Sequence, residues 1–204
     1  PALARQLVQG MLVVSLAVGP ATVEQMALIH RFAAALGVDE PAVRAIEHLA
    51  YEERVRFLLD FHRRSNFRDY AENQYRNQGG ILAVAKALLM FKGVVHDDDL
   101  AARHRALAEL PEGTLGHCFF HQHYDANGFS VPGEPGGFPV GALFHDFGHV
   151  LSGYDTSPQG ELQAAAFQAG FRRGDNAFFT LLFPVLLFSA GVVEIAPIPM
   201  PKHP

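Results

Sequence analysis

The chain has few charged residues and only one cysteine. Only 18% of its 204 residues are charged, against roughly 25% in an average protein, so its surface is poor in charge or contacts something apolar. The net charge of −5 argues against binding a phosphate backbone, which needs a clustered basic footprint, and no nucleic-acid partner is expected. The single cysteine, Cys118, excludes an internal disulfide and a Cys-rich zinc module, and we expect a chemically bland thiol.

No basic stretch precedes an apolar core in the first residues of the sequence. We therefore expect no signal peptide in them, and the single cysteine suits a reducing compartment. These two features predict a cytoplasmic location.

Period-two alternation, which indicates strands, is nearly absent, whereas helical spacing recurs along the chain. The sequence predicts an all-α fold, a helical bundle with long loops and little or no sheet. A capping box at Thr22 and Gln25 begins one helix, Gly37 ends it, and the next starts at Asp39 with Pro41 in its first turn. Further helices are predicted over 2–18, 53–62, 80–92, 97–110, 145–153 and from 157 or 158 onward.

The composition changes near Pro111, where the chain becomes rich in glycine, proline, histidine and aromatic residues up to Pro139. We predict an N-terminal helical bundle over 1–110 and a metal-binding half over 111–204, packed into the same globule. Between Asn176 and Val193 the chain has no charged residue. A buried core helix is the favoured interpretation and a lipid-facing surface the alternative. Prolines and glycines in this segment argue against a membrane span, which needs about 20 apolar residues.

The segment FHDFGHVLSGYDTSPQGEL, residues 144–162, combines histidine and carboxylate side chains with many apolar neighbours. If a helix begins near Gly141, His145 and His149 lie one turn apart on the same face, where two imidazoles can bind one divalent cation. Asp146 is three residues before His149, close enough to join the ligands or to orient a metal-bound water. The alternative is that these residues are only capping or solvated groups.

The turn after this helix brings in the last candidate ligand. Pro158 prevents the first helix from continuing and starts a second helix, whose first turns carry Glu161. A helix–turn–helix of this kind can fold Glu161 back towards the two histidines. Histidines and carboxylates together predict a mixed nitrogen and oxygen site, suited to Zn²⁺, Fe²⁺, Mn²⁺ or Co²⁺.

The motif His145-Asp146-x-x-His149, followed after eleven residues by Glu161, resembles the signature of the Coq-four family of ubiquinone-biosynthesis proteins. The segments that resemble the same family are LPEGTLG at 110–116, NGFS at 127–130, 141–156 and GELQAAAFQAGF at 160–171. The resemblance covers roughly residues 108–195. The N-terminal part resembles the TerB-like helical fold in architecture, without the acidic metal-binding residues that this fold often carries.

The Coq-four resemblance implies a mainly helical protein of quinone biosynthesis at membranes. It implies Zn²⁺ bound by the residues corresponding to His145, Asp146, His149 and Glu161. It also implies removal of the C1 carboxyl of a prenylated 4-hydroxybenzoate-type ring, with oxidative replacement by hydroxyl. The expected partners are a prenylated or apolar aromatic lipid, other biosynthetic enzymes, the inner face of a membrane and a second copy of the chain.

Two functions agree with these observations, and a third fits poorly. The leading hypothesis is a metal-dependent enzyme in which Asp146 or Glu161, whichever is not tightly coordinated, is the catalytic proton carrier. The alternative is a lipid-binding scaffold without catalysis, which organises other enzymes. A metallohydrolase of the HD type fits poorly, because such enzymes need an upstream histidine and a distant aspartate. A second histidine cluster, His117, His121 and His123, is interpreted as a polar face, with a ligand or proton relay as the alternative.

Overall fold

A computed structural model describes residues 2–64, 94–172 and 176–190, with residues 72, 76, 80, 82, 85, 86 and 89 between the first two ranges. All regular secondary structure in these residues is helical, and they contain no strand. The all-α prediction is confirmed. The helix predicted over 80–92 lies largely outside the described residues.

The described α-helices, numbered along the chain, are α1 (Ala2–Ser15), α2 (Val23–Ala35), α3 (Pro41–Ala50), α4 (Arg54–Arg64), α5 (Asp98–Arg105), α6 (Leu115–Cys118), α7 (Leu143–Ser152), α8 (Pro158–Phe171) and α9 (Asn176–Pro184). Short 3₁₀ segments lie at Ala106–Glu109 and Val140–Ala142, and π-helical segments at Phe119–Asp125 and Val185–Ser189.

The predicted signals at the ends of α2 are present. The Thr22 hydroxyl accepts a hydrogen bond from the Gln25 backbone at 3.3 Å, and the Gln25 side chain accepts one from the Thr22 backbone at 2.8 Å. Gly37 follows the helix with a φ of 64°, the left-handed conformation that glycine adopts most readily. The next helix is capped by Glu40 rather than by Asp39, one residue later than predicted.

Contacts group the chain into two compact units: Pro1–Arg68 with Gln168–Pro204, and Asp69–Phe167. The boundary predicted near Pro111 lies inside the second unit.

The first unit has a core of aliphatic and aromatic side chains from α1 to α4 and α9. Leu12, Ile46 and Leu182 have no exposed surface, and the ring of Phe61 on α4 lies 5.7 Å from that of Phe179 on α9. Within the uncharged run, Phe179, Leu182 and residues 185–188 are buried in this core, in agreement with the interpretation that the sequence favours. Residues 191–204 are outside the described part. Among the described helices, none is long and apolar enough to cross a membrane.

The second unit holds the metal motif. Its core contains Phe119, Tyr124, Val131 and Leu143, and the ring of Phe147 stacks on Phe119 with centroids 4.0 Å apart. These contacts fix α7 against the π-helical segment Phe119–Asp125. The sequence analysis predicts no helix over this segment, because the glycines and prolines on both sides obscure the i, i+4, i+5 spacing of the buried residues Phe119, His123 and Tyr124.

Candidate metal centre

The candidate centre lies where α7 and α8 meet. α7 ends at Ser152, and the next residue, Gly153, turns the chain with a φ of 74°. Ser157 then caps α8: its hydroxyl accepts from the Gly160 backbone at 3.1 Å, and its carbonyl accepts from Glu161 at 2.8 Å. Pro158, at the first helical position, needs no hydrogen-bond partner for its nitrogen. The second helix thus starts where the sequence predicts it.

This turn brings two histidines and one glutamate together. His145 Nε2 is 3.2 Å from His149 Nε2 and 2.8 Å from Glu161 Oε2. His149 Nε2 is 3.4 Å from Glu161 Oε1. The three residues form a group able to hold a metal ion, and we call them the His–His–Glu group.

A hydrogen bond to one ring nitrogen of His149 leaves the other nitrogen available to bind a metal. Its Nδ1 is 3.1 Å from the carbonyl oxygen of Tyr154, and because a carbonyl only accepts, Nδ1 carries a proton. In the neutral ring Nε2 then has the free lone pair, and it faces His145 and Glu161. A metal-binding histidine commonly has its second nitrogen fixed in this way.

Two of the three separations between the ligand atoms agree with metal coordination. Ligands about 2.0–2.1 Å from a tetrahedral ion lie roughly 3.3 Å from one another, close to the 3.2 and 3.4 Å separations here. The 2.8 Å between His145 Nε2 and Glu161 Oε2 is a hydrogen bond. A cation bound by the group would replace the proton in this bond. The donor set, the His149 tautomer and the two longer separations fit a divalent ion.

Burial differs among the three side chains. His149 is 3% exposed, Glu161 18% and His145 29%. The group is therefore fixed in the protein on the side of His149 and accessible to solvent on the side of His145.

The charges of the group reinforce one another. Burial would raise the pKa of Glu161, but its hydrogen bonds with His145 and His149 outweigh burial and hold this pKa at about 2. Burial would likewise lower the pKa of His149, and the nearby Glu161 carboxylate reverses that effect and raises it. Near neutral pH the Glu161 carboxylate is ionised and stabilises a proton on His149.

Asp146, the fourth predicted ligand, has different neighbours. Its Oδ2 lies 3.6 Å from His123 Nε2 and accepts a hydrogen bond from the Tyr124 hydroxyl at 3.4 Å. Burial, followed by the charge of Asp146, raises the pKa of Tyr124, which keeps the phenol protonated. The structure thus unites three of the four predicted ligands and places Asp146 in a neighbouring polar cluster with His123 and Tyr124.

The three histidines of the second cluster, His117, His121 and His123, lie in two different places in the structure. The rings of His117 and His121 are 4.4 Å apart and do not belong to the His–His–Glu group. His123 is buried and stacks on His149, with centroids 5.6 Å apart. Sequence reasoning gave no role to Tyr124 or to the carbonyl of Tyr154. A histidine in the last turn of a helix, beside a glycine that ends it, is a signal for the latter contact.

Two clefts lie beside these clusters. One, of about 220 Å³, is lined by His123 and His149 together with Asn127 and Tyr154. The other, of about 330 Å³, is lined by aromatic and apolar side chains, with Arg105 and Glu134 among the polar ones. Its apolar lining consists of Phe120, Tyr124, Phe129 and Val131. Both are large enough for one aromatic ring.

No protein-family model, curated protein or solved structure matches this chain.

The raised pKa of His149 gives the centre a pH dependence. Below that pKa, Nε2 carries a proton and is not available to a metal, so metal affinity is expected to fall as the pH decreases through it. Glu161, with a pKa of about 2, stays ionised in this range and does not contribute. Calorimetric titration with Zn²⁺ in buffers of different ionisation enthalpy should detect about one released proton well below the raised pKa, about half a proton at that pKa and almost none well above it. Affinity that is constant from pH 5.5 to 8.5 would contradict this account.

Proposed function

We propose that the protein is a metal-dependent enzyme acting on a prenylated or otherwise apolar aromatic ring. The observation that carries the proposal is the His–His–Glu group, with its preset His149 tautomer. Three protein ligands leave coordination positions for water or substrate, as in catalytic rather than structural sites. Because His145 is partly exposed, a substrate can reach the His–His–Glu group from the solvent.

His145, His149 and Glu161 would hold the ion, and resemblance favours Zn²⁺. Fe²⁺, Mn²⁺ and Co²⁺ accept the same donors, and two histidines with one carboxylate are also the ligand set of many non-haem iron oxygenases. When bound, the ion supplies Lewis acidity towards a phenolate or carboxylate oxygen of the ring.

The surroundings of the group support an apolar substrate. On α7 and α8, Phe144, Leu151 and Phe167 are 43%, 61% and 39% exposed. The larger cleft adds an aromatic lining. Exposed apolar side chains on the two helices that carry the ligands suit a lipid that is taken up from the inner face of a membrane, with peripheral contact of the protein.

Asp146 is the candidate proton carrier, because it lies outside the metal-binding group and contacts His123, which lines the cleft beside His149. Asp146→Asn is expected to keep the metal and to lose most of the activity, since general acid–base groups contribute about 10²–10⁴-fold in rate. Elemental analysis and turnover of the same preparation test both parts. Loss of the metal from this variant would instead place Asp146 among the ligands, as the sequence predicts.

The reaction follows from the Coq-four resemblance. The C1 carboxyl of a prenylated 4-hydroxybenzoate-type ring would leave as CO₂, and a hydroxyl group would replace it. One atom of dioxygen would supply the hydroxyl oxygen, and the other would leave as water with two protons and two electrons from a reductant such as a reduced flavin, which the assay supplies. A substrate labelled with ¹³C in its carboxyl tests this step through release of labelled CO₂. We expect release by the metal-loaded protein and none by His145→Ala. Binding of the substrate without release would favour the non-catalytic lipid scaffold.

A further inference from the structure

The outward face of α1 exposes large apolar side chains. Leu3, Leu7 and Val14 are 79%, 52% and 74% exposed and share this face with Gly10, whereas Leu12 on the opposite face is fully buried. A surface helix usually turns polar residues to the solvent. This helix has a second apolar face, which no described part of the same chain covers.

This face also lacks charge. Arg5 is the one charged residue within Ala2–Ser15, and its Nε donates to Glu40 Oε2 at 2.7 Å. Gln9 donates to the same oxygen at 2.8 Å. Helices that lie on anionic membranes carry Lys or Arg beside their apolar face. With its only cation engaged by Glu40, the exposed face of α1 is better matched to another uncharged, apolar surface.

The spacing of the face is self-complementary. Positions 3, 7, 10 and 14 are separated by four, three and four residues, the alternation that forms the seam between two packed helices. The same spacing is obtained when the helix is read in reverse. In an antiparallel pair, Leu3 therefore faces Val14 of the second copy, and Leu7 faces Gly10. A two-fold axis generates both contacts twice.

Gly10 supports this pairing independently. A Cβ atom at Gly10 would have nothing within 4 Å, so packing within the chain does not require glycine there. Glycine in the middle of a helix is less stable than alanine. A leucine from a second copy would fill the space that Gly10 leaves. We propose that α1 is the interface through which two copies of this chain pair, antiparallel, about a two-fold axis.

The available area is sufficient for a specific contact. Leu3, Leu7 and Val14 carry the exposed apolar surface, together with Val18, which is 95% exposed in the turn after the helix. Two copies together offer on the order of 1,000 Å² of such surface, which is about the lower limit for a specific interface. The pairing is thus expected to be concentration-dependent rather than permanent.

Light scattering during size-exclusion chromatography at about 50 μM tests the pairing. The parent is expected to approach twice the 22.3 kDa mass of one chain, and Leu7→Glu to elute as a monomer. Val55→Glu, at a 72% exposed position of α4, is the matched control and should pair like the parent. Circular dichroism checks that each variant is folded. A parent that is monomeric at this concentration, or equal masses for the two variants, would overturn the proposal.

Cysteine crosslinking tests the direction of the pair. In a Cys118→Ser background, Leu3→Cys and Val14→Cys are prepared separately and oxidised alone or mixed. Disulfides need Cα atoms within about 7 Å. In the antiparallel pair Leu3 faces Val14 of the second copy, whereas the two copies of Leu3 lie about 16 Å apart along the helix axis. The mixture is therefore expected to form crosslinked dimers and Leu3→Cys alone to form few. Efficient crosslinking of Leu3→Cys with itself would indicate a parallel pair and overturn the antiparallel arrangement.

Discussion

Alanine at His149 is expected to reduce the bound transition metal from about one equivalent to almost none. The substitution removes the donor atom whose lone pair is held towards His145 and Glu161 by the bond to Tyr154. The two remaining ligands do not reach the three that a catalytic metal site normally has. Elemental analysis after reconstitution and dialysis measures the effect. His145→Ala, at a more exposed position, should lose the metal with a smaller disturbance of the core.

His117→Ala is the matched control for this experiment. His117 and His121 have the same i, i+4 spacing as His145 and His149 and lie close together, with ring centroids 4.4 Å apart, but no third donor joins them in a metal-binding group among the described residues. Metal content is expected to be unchanged in this variant. Equal loss in both variants would show that the metal is bound nonspecifically by histidines.

Alanine at Gly160 is expected to destabilise the fold and to weaken metal binding. A Cβ atom at this position would overlap the backbone oxygen and the carboxylate of Asp155. The turn that brings Glu161 to the histidines would have to shift, and overpacking of this kind costs about 1–3 kcal/mol in the free energy of unfolding. Because Glu161 is the next residue, its carboxylate would move away from His145 as well.

Gly170→Ala in the same helix provides the comparison. A Cβ atom there would have nothing within 4 Å, so alanine should raise stability by up to about 1 kcal/mol. Denaturant unfolding of the two metal-free variants, followed by Zn²⁺ titration, separates the effects. Equal stability of Gly160→Ala and the parent would show that the turn tolerates a side chain and does not constrain Glu161.

The part of the centre that the sequence predicts depends on local geometry. His145 and His149 are one helical turn apart whatever surrounds the helix, and Pro158 starts α8 at a position that its own backbone chemistry dictates. The return of Glu161 follows from the short turn between the helices. The all-α fold and the capping box of α2 were predictable for the same reason, since each depends on residues that are neighbours in sequence.

The surroundings of Asp146 depend instead on distant residues. Asp146 is about 100° around the helix from His145, so it faces the π-helical segment that carries His123 and Tyr124. The packing of Phe147 on Phe119 fixes that segment. This contact joins residues far apart in sequence, so no local sequence pattern predicts it. The sequence therefore identifies a carboxylate of the right spacing but not the direction in which its helix is turned.

X-ray absorption at the metal edge, on protein reconstituted with Zn²⁺, tests the proposed centre most directly. The expected first shell contains two imidazole nitrogens and at least one carboxylate oxygen at about 2.0–2.2 Å, and Glu161→Gln or His149→Ala should abolish this spectrum. A shell of water oxygens alone, or one that persists in both variants, would contradict a metal centre formed by His145, His149 and Glu161.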